Sequence, residues 1–170
     1  MNFQIRKLTS DDLSLLQRVG RDTYTPYYPH IWKIGGLDWY MEKCFGTESL
    51  VAEFADPNTE YLLATDMEGQ IIGFLKLILQ CPVPDANIDN ALYLEKIYLM
   101  PVFFGKGAGQ KLMDWVVKKA RQLGRKAVWL QVMKTGPVRA YERAGFENIG
   151  ATRFEYDLLK EEERDGWVMV

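Results

Sequence analysis

Histidine is almost absent from this chain of 170 residues: His30 is the single one. That excludes a centre in which several histidines hold a metal, and it leaves no choice of partner for a serine–histidine pair. Cysteine is nearly as scarce. Cys44 and Cys81 lie far apart without a CxxC spacing, so neither a disulfide scaffold nor a cysteine-rich zinc site is expected. A basic excess is missing as well. The 21 Lys and Arg are outnumbered by 23 Asp and Glu, for a net charge of −2. Nucleic-acid binders usually carry a strong cationic surplus, so no nucleic-acid partner is expected. No apolar run approaches the roughly 20 residues of a membrane span. Met1 to Lys7 alternates apolar and polar residues with no long apolar stretch behind a basic end, unlike a signal peptide. A cytoplasmic protein without a membrane partner is the expectation. With no internal repeat, linker or low-complexity stretch, residues 1–170 are expected to form a single domain.

What is there is a core-forming composition, 48% hydrophobic and 26% charged. Phe3 and Ile5 alternate with polar residues and predict a first strand. Thr9-Ser10-Asp11-Asp12 supplies a helix N-cap before Leu13, Leu15, Leu16 and Val19. Tyr24 to Gly36 is aromatic and proline-containing and reads as irregular. Leu37 to Phe45, ended by Gly46, and Thr47 to Phe54 predict two further helices. Tyr61–Thr65 and Ile71–Leu77 flank the turn signal Glu68-Gly69 and predict a hairpin. Cys81 to Asn90 reads as a loop, and Ala91 to Met100 as a strand stopped by Pro101. Then the period changes. Leu112, Val116, Ala120 and Leu123 predict a helix from Gly105 to Leu123, with Gly124 as its C-cap. Ala127–Val132 predicts a strand, and Pro137–Ala144 a short helix ended by Gly145. Phe146–Ala151, Phe154–Leu159 and Trp167–Val170 read as closing strands. The order β-α-α-α-β-β-β-α-β-α-β-β implies an α/β fold, a mixed sheet flanked by helices with one parallel crossover in its middle.

The most informative segment runs from Leu94 to Gln110, where a strand turns into a helix through Gly105-Lys106-Gly107-Ala108-Gly109-Gln110. The first amides of a helix have no internal partner and carry partial positive charge, so they suit an anion. Glycines at 105, 107 and 109 remove side chains that would hold a phosphate away, and Lys106 adds a cation. The same glycines would also serve a merely tight turn. Yet glycine costs about 1 kcal/mol in a helix relative to alanine, and three at one helix start suggest a purpose. A P-loop would require Gly-Lys-Ser/Thr, but Gly109 is followed by Gln110 and Lys111. A dinucleotide fingerprint would require GxGxxG after the first strand.

Residues Ile97 to Leu112 resemble the acetyl-CoA signature of the GNAT superfamily of N-acetyltransferases, Gln/Arg-x-x-Gly-x-Gly/Ala. Gly107 and Gly109 fill the glycine positions, and Phe104 stands where Gln or Arg is usual. The element order matches over nearly the whole chain. Leu94–Leu99 together with Thr23-Tyr24 and Glu48-Ser49-Leu50 looks most like the PaiA-type, polyamine-acetylating branch. The resemblance implies a GNAT-like, mostly antiparallel sheet of about seven strands. It implies acetyl-CoA as co-substrate without a metal, and pyrophosphate bound along Phe104 to Gln110, with Ala108 between the glycines. It implies pantetheine paired to the backbone of Ile97, Tyr98 and Leu99, with the Leu99 amide as oxyanion donor. The acceptor implied is a small-molecule amine, and a polyamine fits the branch. The resemblance admits a homodimer.

Amide formation from a thioester needs a deprotonated amine, a donor for the developing oxyanion and a proton for the leaving thiolate. Tyr141, four residues before Gly145-Phe146, resembles the superfamily's acid. The loop Met133–Pro137 before it looks shorter than the family's and lacks its usual asparagine. For the base, Glu95 is the candidate, since alternation along the strand places it on the face of Ile97 and Leu99; a salt-bridged surface glutamate is the other reading. Tyr24, Tyr27, Tyr28, His30, Trp32, Trp39 and Tyr40 either line an acceptor pocket, where aromatic faces suit a cationic amine, or simply pack. Glu161-Glu162-Glu163 with Asp165 either attracts a polyamine or forms a solvated hairpin tip, and the second is the expectation. A peptide N-acetyltransferase and a non-catalytic acyl-CoA-binding module stay open beside the small-amine enzyme.

Overall fold

Residues 2–170 are described in a computed structural model. The chain runs β1 (Phe3–Lys7), α1 (Leu13–Tyr24), α2 (Gly36–Phe45), α3 (Thr47–Ala55), β2 (Thr59–Asp66), β3 (Ile71–Ile78), β4 (Ala91–Leu99), α4 (Ala108–Gln122), β5 (Ala127–Met133), α5 (Val138–Arg143), β6 (Asn148–Arg153) and β7 (Asp165–Met169). This is the order that the sequence predicts, apart from the strand expected over Phe154–Leu159. The seven strands form one sheet, ordered β1-β2-β3-β4-β5-β7-β6. Every pairing is antiparallel except β4 with β5, which the α4 crossover makes parallel.

Strand β2 shows how the sheet divides its core. Leu62 and Ala64 pack on one face, Tyr61 and Leu63 on the other, as a period of two requires. The first face is covered by α4, which buries Leu112, Met113, Val116 and Ala120. The second is covered by α1 to α3, with Leu16, Val19, Phe45 and Leu50 buried over Phe74. Each fully buried side chain of this kind contributes roughly 1.5–3 kcal/mol, so both helical layers hold the sheet firmly.

Two departures from strict regularity position the site. Pairing of β4 with β5 covers only Ala91–Tyr93 against Ala127–Trp129. Beyond that point, where the rings of Tyr93 and Trp129 stack at 4.0 Å, β5 turns to β7, pairing Leu130–Met133 with Gly166–Met169. The sheet therefore opens into a cleft between the end of β4 and the end of β5. Strand β4 also carries a bulge. Lys76 pairs with Lys96 but Leu77 pairs with Leu94, which leaves Glu95 as the extra residue. The bulge reverses the alternation, so Leu92, Leu94, Ile97 and Leu99 all pack toward the α4 side.

Phe154–Leu159 is not a strand, contrary to the expectation from its alternation. β7 already has β5 on one edge and β6 on the other, so no edge is free for it there. Its backbone bonds instead to the segment before α2: Lys33 N–H donates to the Leu158 carbonyl at 2.9 Å, and Lys160 N–H to that of Ile31 at 3.0 Å.

Candidate active site

Pro101 halts β4, a short turn over Pro101–Phe103 follows, and Gly105 and Gly107 take φ of 70° and 78°. Those angles lie in the left-handed region that favours glycine, and they bring the chain into α4 with its first amides facing outward. Lys111 N–H is the first to bond back, to the Gly107 carbonyl at 3.2 Å; among the described residues the amides of Gly107, Ala108, Gly109 and Gln110 meet no backbone acceptor. A β-carbon at Gly105 or Gly107 would enter open space, and one at Gly109 would come no nearer than 3.6 Å to Leu99. The glycines are therefore not demanded by packing. They leave bare an amide cradle that fits a pyrophosphate. It borders a cavity of about 820 Å³ that also contacts Ile97, Leu99, Phe104 and Tyr141. Phe104 is exposed and rests on Tyr27, ring centroids 4.8 Å apart. Where the signature carries a polar side chain, this chain has an aromatic rim.

The free edge of β4 follows from its hydrogen bonds. Met100 N–H donates to the Ile72 carbonyl on β3 at 2.8 Å. Alternation along an extended strand then directs the Leu99 N–H to the opposite edge, into the cleft. Ile97 and Leu99 line the large cavity on that edge, while the Tyr98 ring lies on the other face against Tyr24, Tyr28 and Phe74.

Across the cleft, Gly136 N–H closes a tight turn onto the Met133 carbonyl at 2.8 Å. This turn feeds α5, which presents Tyr141. Among the described residues the hydroxyl of Tyr141 has no hydrogen-bond partner, and burial, with Tyr28 nearby, pushes its pKa well above that of a free phenol. It is therefore neutral at physiological pH, a proton donor rather than an acceptor.

A second, smaller cavity of about 190 Å³ adjoins the first, and Tyr28, Ile97, Tyr98, Met133 and Tyr141 belong to both walls. Of the early aromatic residues, Tyr24, Tyr28, Trp32 and Tyr40 line the small cavity, Tyr27 and His30 line the large one, and Trp39 lines neither. Trp32 stacks on Tyr40 at 4.8 Å and donates its indole N–H to the Tyr24 hydroxyl at 3.0 Å. Phe154 and Tyr156 complete this wall. Their alternation reads as strand in the sequence, and nothing local shows that they fold back over α2. Gln131 on β5 is a further lining residue that the sequence reading passed over.

Glu95 lines the small cavity too, but on the face opposite to the one that alternation predicts. The bulge turns it toward Lys76, whose ammonium contacts Glu95 Oε2 and lies 2.7 Å from Glu53 Oε1. Lys96 Nζ sits 3.8 Å from the same Glu95 oxygen. Glu95 Oε1 has no protein partner among the described residues. The acidic run Glu161–Glu163 forms a surface turn, with Glu161 paired to Arg153 and Arg164 and Glu163 accepting from Thr135. No helix among the described residues is long and apolar enough to cross a membrane.

Comparison with known proteins agrees with this geometry. The Acetyltransferase (GNAT) family profile matches residues 21–146. An uncharacterized N-acetyltransferase of Mycobacterium tuberculosis is 30% identical over 121 residues, 70% of this chain and 71% of its own. A spermidine N(1)-acetyltransferase of Thermoplasma acidophilum is 27% identical over 116 residues, 66% of this chain and 67% of its own. The crystal structure of the PaiA N-acetyltransferase of Thermoplasma acidophilum in complex with coenzyme A superposes with a TM-score of 0.71 at 21% identity, covering 99% of this chain and 98% of that one. The chain belongs to the GNAT family of acetyltransferases and is an acyltransferase.

Proposed function

We propose that this protein transfers the acetyl group of acetyl-CoA to the primary amine of a small molecule, by direct attack while both substrates are bound. One observation carries the reading: Tyr141 stands in the wall shared by a large cavity that ends at a bare amide cradle and a small aromatic cavity beside it. The cradle amides of Gly107 to Gln110, with Lys106 beside them, hold the pyrophosphate, and the free edge of β4 at Ile97 to Leu99 pairs with the pantetheine arm. The Leu99 N–H, directed into the cleft, stabilises the oxyanion as the amine nitrogen bonds to the carbonyl carbon and the carbon–sulfur bond breaks. Tyr141 gives its proton to the departing thiolate. Glu95, held by Lys76 through one oxygen, uses the other to draw off the ammonium proton, directly or through water. Holding both partners in line removes the entropic cost of bringing them together. Relatives named for coenzyme A and spermidine support the cofactor and the amine class.

Calorimetric titration with coenzyme A and a thiol-release assay over an amine panel test the reading. Micromolar coenzyme A affinity with amine-dependent thiol release is the expected outcome. Absence of binding sinks the cofactor assignment, and binding without release sinks the transferase assignment.

A further inference from the structure

The acceptor cavity has the wrong charge for a polycation. Of the side chains that line it, only Glu95 and Lys96 are charged, and the adjoining large cavity adds Arg143 and no carboxylate. Glu95 is already neutralised: Lys76, itself 5% exposed, contacts its Oε2, and Lys96 stands 3.8 Å away. Behind the wall, Glu53 pairs with the same Lys76 at 2.7 Å, so the two carboxylates, Lys76 and Lys96 together sum to zero. A linear polyamine would bring two or more charges into this space and find one carboxylate, already paired. Unpaired buried charge is costly, and like charge placed close to Lys96 adds repulsion.

The rest of the cavity is aromatic and rigid. Tyr24 stacks on Tyr28 at 4.5 Å, Trp32 on Tyr40 at 4.8 Å, and Tyr156 meets Tyr40 at 5.9 Å. The Trp32 indole N–H is tied to the Tyr24 hydroxyl, which fixes both rings. Such walls favour a flat apolar group by offset or edge-on packing.

Resting on the acetyl-transfer reading above, we propose that the acceptor is a monoamine whose single amino group is flanked by an aromatic ring, and that Lys96 discriminates against a second positive charge. The ring packs against the cavity wall that Trp32, Tyr40 and Tyr156 form together, and the amine points past Glu95 toward Tyr141.

The experiment compares kcat/KM for 2-phenylethylamine and for spermidine in the thiol-release assay, using the full chain with acetyl-CoA. At least a tenfold preference for 2-phenylethylamine is expected. Lys96→Gln, checked for folding by circular dichroism, is expected to narrow that ratio at least fivefold by raising the spermidine value. If this variant does not fold, the wild-type ratio decides alone. Spermidine matching or exceeding 2-phenylethylamine overturns the proposal while leaving acetyl transfer intact, and a ratio unmoved in folded Lys96→Gln overturns the role of Lys96. Thiol release from no amine at all overturns both this proposal and the transferase reading.

Discussion

Gly73 on β3 presses against the carbonyl of Tyr98 on β4 so closely that a β-carbon at position 73 would lie 2.1 Å from that oxygen. Main chain cannot retreat as a flexible side chain can. Gly73→Ala must therefore push β4 outward where Leu99 aims its N–H into the cleft. Overpacking of this kind costs about 1–3 kcal/mol. We expect a loss near the top of that range in urea denaturation and at least a tenfold fall in kcat for thiol release. Gly150→Ala, at a position open to space within 4 Å, is the control and should stay within about 0.5 kcal/mol. Equal behaviour of the two variants would refute the tight contact.

Gly109→Val tests the amide cradle without backbone strain, because residue 109, unlike Gly105 and Gly107, is not among the positive-φ glycines. The branched side chain would stand over the bare amides of the first turn. Calorimetry should show coenzyme A affinity lowered at least tenfold, or about 1.4 kcal/mol. The melting temperature should change little, since the nearest atom to a new β-carbon is Leu99 Cδ1 at 3.6 Å. Unchanged affinity would mean that phosphate does not bind there.

Tyr141→Phe removes one hydroxyl that has no hydrogen-bond partner among the described residues. General acids contribute about 10²–10⁴-fold, so kcat should fall within that range while coenzyme A affinity holds. Because burial raises the Tyr141 pKa, the hydroxyl keeps its proton through the whole neutral range. No loss of rate from its ionisation is expected below about pH 10, the ordinary phenol value. An alkaline decline centred near pH 8 that vanishes in Tyr141→Phe would contradict this.

Much of the fold was legible because its signals are local. The turn at Glu68-Gly69, the shift from period two to period 3.6 after Pro101, and the glycines of Gly105–Gly109 each act within a few residues. What stayed hidden depends on partners distant in sequence. The bulge at Glu95 exists only as a register against Lys76 and Leu77, so alternation counted along β4 alone put Glu95 on the wrong face. Phe154–Leu159 has strand-like spacing, and it is excluded from the sheet only because β7 has no free edge. The aromatic cavity joins Tyr24 to Tyr40 with Phe154 and Tyr156, more than a hundred residues later, and no pattern in either segment refers to the other. The glycine turn, by contrast, carried the expectation of an anion site locally, since bare amides at a helix start are a consequence of backbone geometry, while acetyl-CoA itself came from the family resemblance.

Burial also sets the alkaline limit of the fold. It pushes the hydroxyls of Tyr24, Tyr40, Tyr61, Tyr93 and Tyr98 above the free phenol value. Above about pH 10 the unfolded chain releases these protons and the folded chain retains them. The folded state then binds more protons, so stability falls as pH rises, and it is unaffected by these groups below pH 10. Tyrosinate absorbance should therefore appear together with loss of the near-ultraviolet dichroism, in one transition. A gradual rise in absorbance near pH 10 with the dichroism intact would show that these rings ionise in place.

Among the described residues Lys76 is the least exposed charged side chain, and it ties α3 to the β4 bulge. Its ammonium lies 2.7 Å from Glu53 Oε1, contacts Glu95 and sits 5.7 Å from the centre of the Tyr61 ring, whose hydroxyl also donates to Glu53. Burial works to lower its pKa, but Glu95 and Glu53 outweigh that and leave it raised. Its contribution is therefore complete below the pKa of a free lysine, near 10.4, and disappears only as pH climbs through the higher folded value. Lys76→Met keeps the length and removes the charge, leaving two carboxylates without their common partner. Removing one side of a buried pair costs about 3–5 kcal/mol. Glu53 and Glu95 keep some access to water, so we expect about 2–3 kcal/mol at pH 7. Adding Glu53→Gln should restore part of the loss, because it withdraws one of the stranded charges. A single variant within 1 kcal/mol of wild type, or a double variant no better than the sum of its parts, would remove Lys76 from this role.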